Sequence, residues 1–266
     1  MKFKAHQVEK PWGRTELPAV FGSTGGRRIG EIWFEPVQSA ELPLLTKYIF
    51  TSEKLSVQVH PDDDQARIRG LDRGKTECWY ILDADEGATL GLGLRAPLSE
   101  TELREAALDG SIEDLMDWKA VSPGDFFLVR AGTIHAIGAG ISLLEFQQNS
   151  NVTYRLYDYG RPRELHLEDG LAVALLRPSS PTDEQGSGPP DALLVNGPHF
   201  GLFRATSDAS VPPPLNDRRR WIMPIKGSAA SGDDLAGTGE CLLITPGASL
   251  RISPESEVLI GFEGSI

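Results

Sequence analysis

Lys54-Leu55-Ser56-Val57-Gln58-Val59-His60 decides the reading of this chain. Leu55, Val57 and Val59 alternate with Ser56, Gln58 and His60. That is the period of two expected of a strand with one apolar and one polar face. Gln58 and His60 therefore point the same way, with Ser56 beside them. Further along, Lys75 and Glu77 are also two apart and lead into the apparent strand Cys78 to Leu82. If these strands are neighbours, one wall carries Ser56, Gln58, His60, Lys75 and Glu77.

Working outward, Gly30 to Phe34, Lys47 to Phe50, Phe126 to Val129, Ile141 to Gln148, Val152 to Tyr159 and Glu257 to Phe262 also read as strands. Residues 98–118 break the pattern. Leu103, Ala106 and Ala107 recur at helical spacing there. Ser99 with Glu102 makes a capping box, and Ser111 with Asp114 repeats the signal. This predicts two short helices inserted in a β chain, with a further helix over Leu167 to Leu176. Residues 177–191, RPSSPTDEQGSGPPD, have linker composition. The expected organisation is a domain over 1–176, a linker over 177–191 and a smaller β domain over 192–266. No histidine follows His199, so the last part is expected to be free of metal.

The chain has 266 residues, with 28 Gly and 19 Pro, as a fold of many short strands requires. Its formal net charge of -12 disfavours nucleic acid and anionic membranes. The same field repels a phosphorylated ligand, so a phosphate site must be a local cluster of cations. Cys78 and Cys241 are far apart in sequence and form no CxxC, which argues against a disulfide framework. The first residues, MKFKAHQVEKPWG, lack an apolar signal core, and no apolar run approaches a membrane span. A cytoplasmic location is expected.

The polar wall and His135, which follows the turn Arg130-Ala131-Gly132, together offer an amide oxygen, a carboxylate and two imidazoles. Such a set suits zinc with one position left open. Each residue also has an ordinary reading, as a satisfied strand histidine or a solvated polar face, so both readings stand on these residues alone.

Three runs raise the specificity: KYIFTSEKLSVQVHPDDDQA (47–66), GKTECWYIL (74–82) and VSPGDFFLVRAGTIHAIGAGISLLEFQQNSNVTYRLYDYGR (121–161). With EKPWG (9–13) and GEIWF (30–34), they resemble the type I phosphomannose isomerases in their short bacterial form, over roughly residues 7–170. The resemblance implies a mainly β fold, a cupin-type jelly-roll barrel with a short helical insertion, followed by a smaller β domain. It implies Zn2+ on Gln58, His60, Glu77 and His135, substrate contacts from Ser56, Lys75 and Arg155, and catalytic roles for Arg155, Lys75 and Glu145. The implied reaction interconverts mannose 6-phosphate and fructose 6-phosphate by proton transfer through an enediolate. Arg130 stands where cupins favour Pro, and Phe146 is a departure that would alter the pocket if it faced inward. Arg161 and Arg163 are expected to be solvated, His166 and His199 to be structural, and Trp12, Trp33 and Trp79 to pack core or rim. Two alternatives share the pattern: a metal-dependent oxygenase using His60, Glu77 and His135, and a non-catalytic sugar-binding cupin.

Overall fold

The computed structural model describes residues 1–36, 41–179 and 185–266. The strands of the first part are β1 (Lys4–Arg14), β2 (Ile29–Glu35), β3 (Leu44–Phe50), β4 (Val57–Val59), β5 (Glu77–Ala84), β6 (Thr89–Leu94), β7 (Met116–Ala120), β8 (Asp125–Val129), β9 (His135–Ile137), β10 (Ile141–Gln148) and β11 (Tyr154–Tyr157). The helices are α1 (Asp63–Ile68), α2 (Glu100–Asp109), α3 (Ile112–Leu115) and α4 (Leu167–Val173). Next come β12 (Gln185–Ser187) and the strands of the last part: β13 (Ala192–Asn196), β14 (Phe200–Ala205), β15 (Arg220–Lys226), β16 (Ser228–Ser231), β17 (Asp234–Gly237), β18 (Leu242–Ile244), β19 (Arg251–Ile252) and β20 (Glu257–Glu263). The fold is mainly β, as expected.

One sheet runs β1-β2-β3-β10-β5-β8-β12 and a second runs β11-β4-β9-β6-β7. From β3 to β11 the chain shuttles between them, which is the interleaved order of a jelly roll. Residues close in sequence thus end on facing sheets, and residues far apart end side by side. The last part forms a sheet in the order β13-β14-β20-β15-β18 and a small one in the order β17-β16-β19.

Both jelly-roll sheets are apolar on their outer faces. Val57 and Val59 pack with Leu103, Ala106, Ala107, Leu171 and Val173, so the inserted helices and α4 cover the smaller sheet. Ile32, Tyr48, Cys78, Leu144 and Phe146 pack with Phe200, Trp221, Met223 and Leu259 of the last part. Phe146 therefore faces away from the jelly-roll interior. Its ring lies 5.3 Å from that of Phe200 and 5.9 Å from that of Trp221. Gly261 makes this possible, because a Cβ there would sit 2.3 Å from the Phe146 ring. Between the sheets, Trp12, Ile49, Trp79, Ile81, Leu143 and neighbours fill one end of the interior. The other end is polar.

The helical insertion forms where the sequence put it. Ser99 and Glu102 exchange capping hydrogen bonds. Ser111 does not cap α3: its backbone is helical and its side chain makes no capping hydrogen bond. A capping box at Asp62 and Gln65 starts α1, which the strand reading passed over. Residues 180–184 of the expected linker lie outside the described residues, and its far end contributes β12, paired with β8. Cys78 and Cys241 are both buried free thiols. No helix among the described residues is long and apolar enough to cross a membrane.

Phe146 is one of the residues through which the sandwich grips the last part. Phe146→Ala is expected to lower stability by roughly 3–5 kcal/mol, as buried aromatic truncations do. Urea unfolding followed by tryptophan fluorescence checks this, and an unchanged midpoint would show that Phe146 does not carry this packing.

Candidate metal centre and active site

The turn Arg130-Ala131-Gly132 forms with Arg130 in the place of Pro. Thr133 donates to the Arg130 carbonyl at 3.1 Å, and Gly132, with φ 84°, donates to the carbonyl of His60 at 2.8 Å. A side chain at that positive φ would be strained, and its Cβ would meet Leu175 at 2.9 Å. The turn thereby delivers His135 opposite Gln58, its register partner on β4.

Ser56, Gln58 and His60 do not share a wall with Lys75 and Glu77. β4 belongs to the smaller sheet and β5 to the larger, because the chain changes sheet between them. The two groups meet face to face across the interior instead. His60 Nε2 lies 3.5 Å from Glu77 Oε2, and His135 Nε2 lies 3.4 Å from Glu77 Oε1. Gln58 Nε2 is 3.2 Å from His135 Nε2, and Ser56 donates to Gln58 Oε1 at 3.2 Å. Lys75 forms an ion pair with Glu77 and donates to His60 Nε2 at 3.1 Å.

These contacts fix the tautomers. An ammonium only donates, so His60 Nε2 is the acceptor and its proton sits on Nδ1. His135 Nδ1 lies 2.8 Å from the Thr133 carbonyl, which leaves its Nε2 as the lone pair. Burial, reinforced by the Lys75 charge, lowers His60 to about 3, and burial lowers His135. Burial opposes ionisation of Glu77, but Lys75 and His60 outweigh it and hold the carboxyl well below its ordinary range. Two neutral imidazoles and a carboxylate converge within 4.8 Å, with Lys75 paired to Glu77 Oε2. Such a donor set fits a metal ion.

Around Lys75, Glu77 and Glu145 stands a row of further charges that the sequence reading missed: Lys10, Glu31 and Lys47. Trp33, Lys47, Glu145 and Trp79 are register partners on β2, β3, β10 and β5. Lys47 lies 3.1 Å from Glu145 and 3.4 Å from Glu31, and Lys10 lies 3.0 Å from Glu31. Lys75 is 3.6 Å from Glu145. Trp33 and Trp79 donate their indole N–H to Glu31 and Glu145. Lys10, Lys47 and Lys75 thus balance Glu31, Glu77 and Glu145. Burial raises Glu145, the charge of Glu77 adds to that, and Lys47 and Lys75 only partly offset them. Burial opposes the charge on Lys47, yet Glu145 and Glu31 hold its pKa above the ordinary range. The available signal was a charge inside an apolar run, Lys47 in LLTKYIF and Glu31 in IGEIWF.

The row opens into a cavity of about 510 Å3 lined by Lys10, Trp33, Lys75, Gln147, Arg155 and His166, among others. A smaller recess of about 90 Å3 reaches Ser56, Gln58 and Glu145. Arg155, the register partner of Gln58, stands at the rim. Its Nη1 donates to the Glu164 carbonyl at 2.8 Å, and among the described residues it has no carboxylate within ion-pair distance. It is therefore not held in a rim salt bridge. Arg161 and Arg163 are not simply solvated, because both bind the buried carboxylate of Asp158. His166 receives the Arg155 backbone N–H on Nδ1 at 3.3 Å. His199 pairs with Asp63 at 3.7 Å. Trp12 and Trp79 are core and Trp33 is rim, as expected.

A Bacillus subtilis protein named putative mannose-6-phosphate isomerase YvyI is 35% identical over 240 residues, 74% of this chain and 76% of that one. The chain belongs to the mannose-6-phosphate isomerase family. The mannose-6-phosphate isomerase of Streptococcus mutans is 42% identical over 183 residues, 65% of this chain. ManA of B. subtilis is 44% identical over 165 residues, 57% of this chain. The chain spans little more than half the length of these two relatives, 58% and 52%. The crystal structure of the mannose 6-phosphate isomerase from B. subtilis superposes with a TM-score of 0.81 and 27% identity over 98% of both chains. That of a putative mannosephosphate isomerase from Archaeoglobus fulgidus superposes with a TM-score of 0.77 at 19% identity, which shows the shared fold. No family model matches the chain.

Glu31 gives this charge row a pH signature. Burial works against its ionisation, but Lys47, Lys10 and the Trp33 N–H bring it down to about 2. A carboxyl lowered on folding stabilises the protein above its unfolded pKa and ceases to do so as pH falls through the folded value. The advantage of the parent over Glu31→Gln is therefore expected to be full above pH 4.5 and to vanish toward pH 2. Urea unfolding of both proteins across that range measures it, and a pH-independent difference would contradict the ion-pair assignment.

Proposed function

We propose that the chain interconverts mannose 6-phosphate and fructose 6-phosphate, with one zinc ion held by Gln58, His60, Glu77 and His135. The observation that carries this reading is the neutral-imidazole and carboxylate cluster at the end of a charge-balanced row, beside a rim arginine without a carboxylate partner. Two nitrogens with a carboxylate and an amide oxygen suit zinc with a position left open. The Gln58 amide must turn to present its oxygen, and Ser56 can follow as donor or acceptor because its hydroxyl rotates. When bound, zinc supplies Lewis acidity and two positive charges at this end of the cavity.

The chain's own residues divide the remaining work. Glu145, raised by burial, is the proton carrier between carbon 1 and carbon 2, since a carboxyl brought toward neutrality can both take and return a proton. Lys75 donates to a sugar oxygen beside the cluster. Ser56 contacts the substrate from the inner recess. Arg155, always charged, offers a planar fork to the phosphate or to the developing enediolate. The residues over 1–176 form the catalytic domain, and those over 192–266 brace it from outside. The setting is the cytoplasm.

An iron oxygenase could use the same His60, Glu77 and His135, but it has no use for lysines packed against its ligands. A non-catalytic sugar binder would leave the raised Glu145 idle. Both are less economical than an isomerase acting on an anionic sugar.

Two outcomes test this. The purified protein should carry zinc near one equivalent per chain, and its turnover in a coupled fructose 6-phosphate assay should be lost on chelation and restored by zinc. His135→Ala should lose metal and activity together, and full turnover in metal-free protein would overturn the proposal. Arg155→Lys keeps the charge and loses the fork, so kcat/KM should fall by about tenfold to a hundredfold while bound zinc stays constant. Parental rates in that variant would remove Arg155 from the mechanism.

A further inference from the structure

Arg155 and Arg163 both line the smaller recess and Arg161 shares Asp158 with Arg163, yet the three are treated differently by their surroundings. Asp158 is 2% exposed and lies between two of them. Arg163 binds it as a fork, Nε to Oδ2 at 2.6 Å and Nη2 to Oδ1 at 2.6 Å. Arg161 adds Nε and Nη2 to Oδ1 at 3.1 and 2.8 Å. Three N–H groups thus hydrogen-bond one carboxylate, and Arg161 Nη2 adds an ion-pair contact. Arg155 feels the charge of Asp158 but hydrogen-bonds the Glu164 carbonyl instead.

The same residues shape the backbone. The chain turns back at Tyr159 and Gly160, with φ of 55° and 74°, and Arg161 donates to the Asp158 carbonyl at 3.0 Å. A tyrosine in the left-handed region is uncommon and persists only where its surroundings hold it. The loop closes on itself: His166 donates to the Arg155 carbonyl at 2.8 Å, and His166 Nδ1 takes the Arg155 N–H. Arg161 Nη2 also donates to the Lys54 carbonyl at 2.8 Å, which ties the loop to the segment leading into β4. The Glu164 carbonyl that holds the Arg155 guanidinium is therefore part of a loop locked by Asp158.

We infer that Asp158 is a positioning residue for Arg155. It withdraws Arg163 from competition and fixes the loop whose Glu164 carbonyl aims the Arg155 fork into the cavity. A pre-aimed fork meets an anionic group without first losing side-chain freedom. The inference rests on the proposed role of Arg155 toward a phosphosugar.

A double-mutant cycle tests it. Asp158→Asn keeps the shape and removes the charge, and is expected to lower kcat/KM for mannose 6-phosphate by about tenfold, the scale of a charge-assisted hydrogen bond. Bound zinc should be unchanged. In an Arg155→Ala background the same substitution should cost little more, because residues that act through one another are not additive. An equal loss in both backgrounds, or parental kinetics in Asp158→Asn, overturns the inference. If Asp158→Asn does not fold, Arg163→Lys breaks the fork from the more exposed side and takes its place in the cycle. Failure of the proposed activity shows separately, as absence of turnover by the parent protein. The cycle is then read as the Kd for mannose 6-phosphate by calorimetry, where lost coupling, or no binding at all, overturns the positioning role.

Discussion

Charge neutralisation inside a protein shell governs this structure. Glu77, Glu145, Glu31, Lys75 and Lys47 are all buried. Removing one partner of a buried pair leaves the other charge uncompensated, at a cost of about 3–5 kcal/mol. The pairing works only if β2, β3, β10 and β5 lie side by side in one register, since each strand contributes alternate members of the row. Strand order and charge pattern therefore specify one another. A slip by one residue would turn Lys47 and Glu145 outward and bring Tyr48 and Phe146 into the cavity.

The apolar outer faces make the polar interior affordable. A sandwich with wet outer faces would need an apolar centre throughout. Here the inserted helices and α4 cover one outer face and the last part of the chain covers the other. Hydrophobic burial is supplied from outside, and one end of the interior is released for chemistry. Phe146, a departure in sequence, serves this outer packing and leaves the pocket as it is.

The periodic segments were legible. Alternation gave the facing of Ser56 to His60, though Leu55, ahead of β4, packs inward rather than with Val57 and Val59, and Ser99 with Glu102 gave the start of α2, because both signals are local. Which sheet each strand joins was not legible, since β4 and β5 are sequence neighbours that the jelly-roll path sends to facing sheets. The wall of five residues thus became two opposed groups with the same members. Lys47 and Glu31 were passed over because a charge in an apolar run gains meaning only from its partner on the next strand. Arg161 and Arg163 looked solvated for the same reason, as nothing local announces that Asp158 is buried.

The structure leaves the central question in the hands of one atom's position. Anomalous diffraction at the zinc absorption edge, from crystals of active zinc-loaded protein, locates it directly. One strong peak within bonding distance of Nε2 of His60, Nε2 of His135 and the Glu77 carboxylate is expected, with the Gln58 amide oxygen completing the set. A peak on other residues in active protein would contradict the assignment of this cluster as the metal centre.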